Sequence, residues 1–583
     1  MKNSKDKISN TFLVISVSPG ANEIAASPNP QIKVTFTQSI DSASINNISF
    51  SVFGERTAYH SGGYEIIDSG FAILFNTLND FNAGEKVKVT LSSKIISSIG
   101  DSLKSFSWTF RIPTNPTSLN FTEPIVYSGG GEGMQCIDMN NDGYPDIVTS
   151  SGIIRINNGN GEFPTYWYLD DAADFYPIIV DDFNRDGYMD VFYGGTGGLT
   201  LGLGNGAGNF SKSYYPWWFF DYISDDFDSD GYPDIAGING LSINPPFDST
   251  SYCAIAYNDG LGQLIDTVWI TQLTGKFQKI SSCDVENDGD NDILIISHRA
   301  PINGSGLDGL AVFRNNDDGV FNEYQLYQSD IYFSFFLPKF IYTADFNNDG
   351  LTDIGIIGDG GGAIKLNTGN GFFGDGSDTT FIREIWGPES AAPLTGGDFN
   401  GNNWIDLAVS GYGFPFDPFA PKQYAVLNNN SSYFFNIFRD TIGTNSSLIY
   451  STAAADLNNN GFLDLVHAGN GVYITRNVEI VPSVDYDLKL LNKFILYQNF
   501  PNPFNSQTEL IFKINKTGIM QISIYNIIGE EVRSLESKEL FSGNYKIVWD
   551  GKDNSGANLS SGVYLIQANF LGLSKTIKTI ILK

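Results

Sequence analysis

The stretch DDFNRDGYMDVFYG (residues 181–194) determines the predicted fold of this chain. Counted from Asp182, oxygen-bearing side chains stand at positions 1, 3, 5 and 9, and Gly187 stands at position 6. A calcium ion takes about six to eight oxygen ligands, and a tight loop presents them when alternate side chains turn inward around a glycine. An EF-hand would need Glu at position 12 and flanking helices, but position 12 is Tyr193 and a strand-like apolar run follows Asp190. The spacing therefore predicts a calcium cage between two strands and not a catalytic carboxylate pair, which needs no such alternation.

The same pattern, D-x-[DNE]-x-[DN]-[GN]-x-x-D, occurs seven times, and no copy has Glu at position 12. We number these loops one to seven in chain order. The predicted metal ligands, at positions 1, 3, 5 and 9 of each loop, are Asp138, Asn140, Asp142 and Asp146; Asp182, Asn184, Asp186 and Asp190; Asp226, Asp228, Asp230 and Asp234; Asp284, Glu286, Asp288 and Asp292; Asp345, Asn347, Asp349 and Asp353; Asp398, Asn400, Asn402 and Asp406; and Asp456, Asn458, Asn460 and Asp464. The sequence therefore predicts up to seven bound calcium ions.

The spacing of the loops predicts the architecture. The first ligands are separated by 44, 44, 58, 61, 53 and 58 residues, and periods of this size indicate stacked units or a closed ring. Each loop precedes an apolar run, a second strand, a polar turn and another strand, which makes four short strands per unit, typical of propeller blades. Seven units predict a seven-bladed β-propeller over residues 119–477. In it, LNFTEPIVYS (119–128) is expected to complete the seventh blade and close the ring without exposed edges.

A D-x-N-x-D-G-x-x-D loop followed by a turn such as NNGNGEF (157–163) resembles the FG-GAP/VCBS-type repeat. That repeat is found in integrin α-subunit propellers and in many secreted bacterial proteins. The resemblance covers about residues 119–477 and implies a calcium-binding propeller. It implies no particular ligand or activity, because the same fold serves lectins, adhesins and some polysaccharide lyases.

Residues 12–112 are predicted to form a separate β-sandwich, because alternating strands and turn residues follow one another at short intervals. Segments such as IKVTFTQSID (32–41) and GEKVKVTL (84–91) resemble the SbsA-type bacterial Ig-like domain of surface proteins, which implies a spacer or stalk. The segment PTNPTSLN (113–120), stiffened by two prolines, is the predicted linker.

Residues 485–583 are predicted to form a second small sandwich, with alternating strands and Asn/Gly turns after a Pro-rich start. This region resembles the type A sorting domain of the type IX secretion system of Bacteroidetes and their relatives. The resemblance rests on Asn499, Pro501, Asn502, Pro503, Phe504, Asn505, Trp549, Asp550, Gly551, Ser561, Gly562, Val563 and Tyr564. It implies that the type IX secretion machinery is a partner, and that export is followed by surface attachment or release. The predicted fold class is thus all-β, a seven-bladed propeller flanked by two Ig-like β-sandwich domains.

The composition limits the classes of partner. The formal net charge is −31 and the sequence pI is near 4.3, while hydrophobic residues at 42% and aromatic residues at 14% indicate a folded chain and not a disordered acidic one. A strongly acidic protein lacks the clustered basic surface that nucleic acid requires, and anionic membranes are disfavoured for the same reason. Three cysteines make no disulfide framework, and we expect them to be small core residues: Cys136, Cys253 and Cys283. Three histidines share no motif: His60, His298 and His467. His298 and His467 end second strands and are expected to be structural or surface residues.

The expected location is secreted or on the outer surface of a bacterium of the Bacteroidetes or a relative. Lys2, Lys5 and Lys7 could begin a signal peptide, but the apolar run FLVISV (12–17) has only six residues, fewer than the 7–15 or so of a signal core. That run is predicted to be the first strand of the Ig-like domain, which leaves two alternatives: the true start of the protein lies upstream, or the signal was trimmed. No run reaches the ~18 apolar residues of a transmembrane helix.

The cages are expected to act on folding, because grouped carboxylates repel one another until an ion binds them, so that binding free energy becomes folding free energy. Affinity should follow ligand charge. Loops three and four, with four carboxylates each, are predicted to bind calcium most tightly, and loops six and seven, with two each, most weakly. Loop six has Asn403 where Gly is expected, and Asn is among the few residues that tolerate a positive φ.

Three functions are open at this point. The first is a secreted or surface-displayed module that binds a glycan or a protein. The aromatic segment SYYPWWFFDY (213–222) would suit sugar rings, although packing in the core is the favoured role for Tyr214, Tyr215, Trp217 and Trp218. Three inserts that lengthen blades three, four and six mark variable rim loops, where ligands often bind: INPPFDSTS (243–251), APINGSGLDG (300–309) and GFPFDPFAPK (413–422).

The second function is an extracellular polysaccharide lyase or glycosidase on the same scaffold. A glycosidase needs a carboxylate pair about 5–10 Å apart, but the grouped carboxylates of this chain are assigned to the cages and its histidines form no constellation. A binding module without catalytic residues is therefore the preferred prediction. The third function is a structural component of a surface layer with no dedicated ligand.

Overall fold

The computed structural model describes residues 11–25, 27–172, 177–195, 198–217, 219–239, 250–274, 276–298, 309–316, 319–321, 323–328, 338–358, 361–373, 380–382, 393–411, 423–429, 436–441, 449–479, 494–497, 499, 501–514, 518–540, 543–570 and 573–582. Lys2, Lys5, Lys7, Trp218 and most of the three inserts lie outside these residues. Within them, helical structure is limited to the short 3-10 turns Ser42–Ser44 and Asp68–Gly70, so the all-β prediction is confirmed. Neither described turn has the length or the hydropathy to cross a bilayer.

The N-terminal region, residues 12–112, contains two four-stranded sheets. Its strands are β1 (Val14–Ser18), β2 (Ile32–Phe36), β3 (Phe50–Gly54), β4 (Ala58–Tyr59), β5 (Gly62–Ile67), β6 (Ala72–Thr77), β7 (Lys86–Leu91) and β8 (Phe106–Arg111). The antiparallel orders are β1-β2-β6-β5 and β4-β3-β7-β8. Alternation along β2 buries Ile32, Val34 and Phe36, which share one core with Val87 and Val89 of the second sheet. The region is therefore a sandwich of two sheets around one hydrophobic core.

The central part of the chain, from β9 to β36, contains seven four-stranded sheets in the described residues, and we call it the seven-sheet array. Its strands are β9 (Ile125–Ser128), β10 (Met134–Ile137), β11 (Asp146–Thr149), β12 (Ile153–Ile156), β13 (Thr165–Tyr168), β14 (Ile178–Asp181), β15 (Asp190–Gly195), β16 (Gly198–Gly204), β17 (Phe210–Tyr215), β18 (Asp221–Asp225), β19 (Asp234–Asn239), β20 (Thr250–Asn258), β21 (Leu264–Thr274), β22 (Lys276–Cys283), β23 (Asp292–His298), β24 (Gly309–Arg314), β25 (Glu323–Gln328), β26 (Pro338–Ala344), β27 (Asp353–Gly358), β28 (Gly361–Lys365), β29 (Thr380–Ile382), β30 (Leu394–Gly397), β31 (Asp406–Gly411), β32 (Gln423–Asn428), β33 (Asn436–Thr441), β34 (Ile449–Ala455), β35 (Asp464–Gly469) and β36 (Gly471–Thr475).

The sheets of the array follow the chain. Sheet one has the order β10-β11-β12-β13, and sheets two to six repeat it with β14–β17, β18–β21, β22–β25, β26–β29 and β30–β33. Sheet seven is β34-β35-β36-β9, so its fourth strand comes from before the first loop. β9 pairs antiparallel with β36, with Tyr127 opposite Val472, which confirms the strand pairing predicted for residues 119–128.

The first strands of consecutive sheets contact one another along the whole array, and β34 contacts β10, so the series of contacts closes on itself. The second strand of each sheet begins at the last aspartate of its loop. It is buried on both faces, as in β11 and β35, because neighbouring sheets pack against it from both sides. This explains the uninterrupted apolar runs that follow each loop.

The N-terminal region and the array belong to one compact unit, Met1–Glu479. The sheet β4-β3-β7-β8 lies over the loop side of the array, where Lys88 contacts Asp225 and the Arg56 Nε–H donates to the Ala454 carbonyl at 2.6 Å. Asn82 Nδ2 donates to the Asp456 carbonyl at 3.0 Å, and the Asp456 N–H donates to Asn82 Oδ1 at 3.1 Å. A cavity of about 380 Å³ lies between the two surfaces.

Residues 113–120, the predicted linker, bond to the array. The Asn115 N–H donates to the Gly461 carbonyl at 2.8 Å, and the Thr117 N–H donates to the Asn400 carbonyl at 3.0 Å. The segment thus lies along loops six and seven, because those loops supply acceptors for its backbone donors.

The second compact unit is Ile480–Lys583. Its strands are β37 (Phe494–Leu496), β38 (Thr508–Ile514), β39 (Gly518–Tyr525), β40 (Glu531–Leu540), β41 (Gly543–Trp549), β42 (Gly562–Phe570) and β43 (Leu573–Ile581). They form the sheets β37-β38-β41 and β40-β39-β42-β43. Residues of both sheets, including Phe512, Trp549 and Ile566, share one buried core.

Candidate metal centres

Each of the seven loops joins the first and second strands of one sheet of the array. Position 1 directly follows the first strand, and position 9 is the first residue of the second strand, as with Asp138 after β10 and Asp146 at the start of β11. All the predicted ligand residues lie in these loops, within the described part of the chain.

The loops share one backbone conformation. Position 4 has a left-handed φ of 55–69° in all seven, and position 6 has a φ of 65–97°. Position 6 is glycine except at Asn403, whose φ is 65°, in agreement with the prediction that asparagine adopts the turn there. These two left-handed residues fold the loop back over the side chain at position 1.

The aspartate at position 1 holds the turn. Its Oδ2 accepts a hydrogen bond from the N–H at position 6 in every loop, at 2.6–2.9 Å. In six loops its Oδ1 accepts from the N–H at position 5, at 3.0–3.2 Å. In loop three, Asp226 Oδ1 is buried without a hydrogen-bond partner.

The aspartate at position 9 ties the loop to its sheet. Its Oδ2 accepts from the N–H at position 2, at 2.8–3.2 Å. Its Oδ1 accepts, at 2.7–2.9 Å, from the N–H that lies at or just after the end of the third strand. All seven position-9 aspartates are buried.

Burial of these carboxylates raises their pKa values. Burial is the main cause in Asp146 and Asp190, whose pKa values rise to about 8. Burial, followed by the nearby Asp230 carboxylate, raises the pKa of Asp226 to about 7. The anionic loop is thus costly in the folded chain without a cation, because burial and like charge both favour the neutral acid.

Loop three has the most compact donor set. Oxygen atoms of Asp226, Asp228 and Asp234 all lie within 4.8 Å of one another. Among the described residues, no other three carboxylates, histidines or cysteines meet so closely. Asp226 Oδ1, and Asn458 Oδ1 at position 3 of loop seven, are buried acceptors without a hydrogen-bond partner. Carboxylate and amide oxygens are the donors that calcium takes, so the residues of these loops fit calcium.

Loop four differs from loop three despite its equal number of carboxylates. Glu286 Oε1 lies 2.8 Å from Arg314 Nε, so a basic side chain of the same sheet already compensates one predicted ligand. In loops six and seven the amide at position 5 donates to a backbone carbonyl: Asn402 to Asn429 at 2.8 Å, and Asn460 to Asn477 at 3.2 Å. These two loops replace part of the charge with internal hydrogen bonds.

Sequence reasoning missed a set of asparagines that join neighbouring sheets. In six sheets the residue bonded to Oδ1 of the position-9 aspartate is Asn, and its Nδ2 donates at 2.7–3.0 Å to the position-2 carbonyl of the preceding loop. These residues are Asn157, Asn258, Asn315, Asn367, Asn429 and Asn477. Sheet two has Gly204 in this place. The available signal was the first Asn of the polar turn after the third strand, which recurs in register with the loops.

The aromatic segment 213–222 divides between core and surface. Tyr215 is buried and stacks on Trp217 with ring centroids 4.7 Å apart, so both pack as the sequence favours. Tyr214 is exposed on β17, so the core role favoured for it is wrong, because side chains alternate along the strand and Tyr215 takes the inward position. The three cysteines are free, and their burial agrees with the predicted core role. His467 is buried and its Nδ1 lies 2.8 Å from Ser410 Oγ, consistent with a structural role.

The residues that carry the sorting-domain resemblance stabilise the C-terminal unit itself. Asn499 Nδ2 donates to Thr508 Oγ1 and Thr579 Oγ1 at 2.9 and 2.8 Å, which joins β38 to β43. The buried Phe504 and Trp549 rings lie 5.3 Å apart.

Comparison with protein families gave three matches. Residues 9–112 match a bacterial Ig-like domain, residues 138–193 match an FG-GAP-like repeat, and residues 513–571 match the FlgD Ig-like domain. The Ig-like and FG-GAP-like resemblances of the sequence are confirmed over these ranges, and the C-terminal region is Ig-like. Its sorting role stays a prediction. A search of curated proteins gave no match.

Several solved structures are similar to this chain at low scores. A lectin of Agrocybe aegerita that recognises non-reducing terminal N-acetylglucosamine is 18% identical, with coverage of 61% of this chain and 86% of the lectin and a TM-score of 0.36. PorZ, a surface component of the type IX secretion system of Porphyromonas gingivalis, is 12% identical, with coverage of 97% of this chain and 75% of PorZ and a TM-score of 0.32. A Bacteroides thetaiotaomicron protein of unknown function is 10% identical, with coverage of 80% of this chain and 98% of that protein and a TM-score of 0.31. At these scores the function must be argued from the chain's own residues.

Proposed function

We propose that residues 119–477 form a seven-bladed β-propeller whose loops bind up to seven calcium ions, flanked by Ig-like domains at 12–112 and 485–583. The observation that carries this proposal is the common frame of all seven loops, in which the carboxylates at positions 1 and 9 accept hydrogen bonds from the loop backbone. In loop three, carboxylate oxygens at positions 1, 3 and 9 also lie within 4.8 Å of one another. The closed series of contacts between first strands supports the propeller.

The bound cations would stabilise the fold. Each loop joins two strands of a sheet, and six of the seven loops are also bonded to the following sheet through their position-2 carbonyl. A cation that neutralises the buried carboxylates therefore stabilises the contact between sheets as well as the loop itself.

We further propose that the protein is a surface-displayed or secreted binding module for a glycan or a protein, and not an enzyme. The grouped carboxylates of the array are held in the loop frames, and His467 is buried beside Ser410. The C-terminal domain would engage the type IX secretion machinery of a bacterium of the Bacteroidetes or a relative, as its sequence resemblance implies.

A glycan and protein array probed with the full chain tests the binding proposal. Selective binding in calcium that is lost in chelator, and restored when calcium is added back, is the expected result. A chain that is shown to be folded in calcium and binds nothing on either array would contradict the proposal. Export is tested separately, by removing residues 485–583 and measuring the protein outside a host that has type IX secretion.

A further inference from the structure

Large aromatic side chains recur on the outermost strands of the array. Tyr168 on β13, Tyr214 on β17 and Trp269 on β21 are 58%, 66% and 61% exposed. Single exposed aromatics are ordinary. An exposed aromatic side chain that recurs on several edge strands calls for an explanation, because exposed apolar groups on an edge strand favour unwanted pairing with other chains.

The three residues occupy the same position in their sheets. The cross-strand pairs are Tyr168 with Ile153, Tyr214 with Thr200, and Trp269 with Ala254. Each inner partner lies four residues before the residue whose N–H bonds the position-9 aspartate, and these residues are Asn157, Gly204 and Asn258. Equivalent registers in three consecutive sheets make the exposed rings a repeated feature of one side of the array.

The core does not need these rings. The neighbouring residue on each strand points the other way and packs inward: Trp167 beside Tyr168, Tyr215 beside Tyr214, and Ile270 beside Trp269. Side chains alternate along a strand, so packing is supplied by one set and the exposed aromatics belong to the other.

Polar groups lie next to the rings. Lys212 is two residues before Tyr214 on the same side of β17, and its Nζ lies 2.6 Å from an oxygen of Asp171 and also contacts Asp170. Trp269 is held edge-on against Tyr252, with ring centroids 5.5 Å apart. Tyr252 therefore orients the Trp269 ring, and charged groups accompany Tyr214 on its strand.

We propose that Tyr168, Tyr214 and Trp269 form a stacking surface for a neutral polysaccharide. The C–H face of a sugar ring packs on an aromatic face, while hydroxyl groups bond to nearby carboxylate and ammonium groups. The net charge of −31 opposes anionic glycans, which makes a neutral chain the favoured ligand. This inference rests on the proposed binding function and assigns it to the outer strands.

The test is affinity electrophoresis of the full chain in calcium, through gels that contain a neutral β-glucan, mannan, galactan or xylan, with alginate as the anionic comparison. The variants are Tyr168→Ala, Tyr214→Ala, Trp269→Ala and the triple variant. Tyr497→Ala, an exposed aromatic of the other compact unit, is the matched control. Because the side chains are exposed, the variants should fold, which circular dichroism verifies.

Retardation by at least one neutral polysaccharide is expected. Each single substitution should weaken it about three- to tenfold, the triple variant should abolish it, and Tyr497→Ala should leave it unchanged. Equal retardation of the wild type and the triple variant would overturn the inference while glycan binding itself stands. Retardation by alginate alone, or by no polysaccharide, would also overturn it, and the wider proposal would then depend on the protein array.

Discussion

Replacing Asn258 by alanine should destabilise the array by about 2–6 kcal/mol. Asn258 Nδ2 donates to the Phe183 carbonyl of the preceding sheet at 2.7 Å and to the Pro233 carbonyl at 2.9 Å, and its Oδ1 accepts from the Gly260 N–H at 3.1 Å. The side chain and both carbonyl-bearing residues are buried. Alanine keeps the backbone but leaves two buried acceptors without donors, and each such loss costs about 1–3 kcal/mol.

The matched control is Asn205→Ala. Asn205 follows Gly204, which in sheet two stands where the other six sheets have the asparagine that joins neighbouring sheets. Asn205 Oδ1 accepts from the Ala207 and Asn209 N–H groups in an exposed turn, at 3.0 and 3.3 Å. Loss of these exposed hydrogen bonds should cost less than about 1 kcal/mol, because water replaces them.

The assay is urea unfolding of the full chain in saturating calcium, followed by tryptophan fluorescence. The midpoint for Asn258→Ala should fall well below that for Asn205→Ala, with a similar slope. If the two variants unfold at the same urea concentration, the asparagine does not join the sheets as described.

Four further predictions concern the cation sites and one histidine. Asp234→Asn should weaken the tightest class of calcium sites at least about tenfold in a calcium titration, and an unchanged first affinity would place the tightest site elsewhere. Arg314→Gln should free Glu286 and raise the affinity of loop four, whereas a fall would show that the arginine supports the site. Chelation of calcium should speed amide hydrogen exchange in Lys86–Leu91, because that strand lies over the loops. Unchanged exchange would show that cation binding does not stabilise the N-terminal region. Burial lowers the pKa of His467 to about 3, so the unfolded chain takes up the proton first and stability is lost as the pH falls below about 6.5. His467→Gln should therefore lose about 2 kcal/mol less than the wild type between pH 7 and pH 5 in urea unfolding without calcium, and parallel losses would contradict it.

The repeated local signals of the sequence predicted much of the array. The aspartates at positions 1 and 9 sit between two strands in all seven loops because the spacing of the motif is a property of the loop alone. β9 could be assigned to the seventh sheet because one strand was missing there and one was left over before the first loop.

Contacts between distant segments could not be predicted in the same way. Nothing local indicates that Asn258 bonds Phe183, since the two residues are far apart in the chain and meet only when sheets pack. The position of Lys88 over Asp225 depends on how the N-terminal sandwich meets the array, and a two-proline linker suggested separation instead. Likewise, loop four was expected to be a strong site because it has four carboxylates. Its sequence does not show the ion pair between Glu286 and Arg314, because Arg314 lies on another strand of that sheet.

Calcium titration of the chelator-treated full chain by isothermal calorimetry tests the central claim most directly. The account predicts binding of more than one ion and up to seven, in at least two classes of affinity, with the tightest class lost in Asp234→Asn. Absence of calcium binding by a chain that circular dichroism shows to be folded would contradict it.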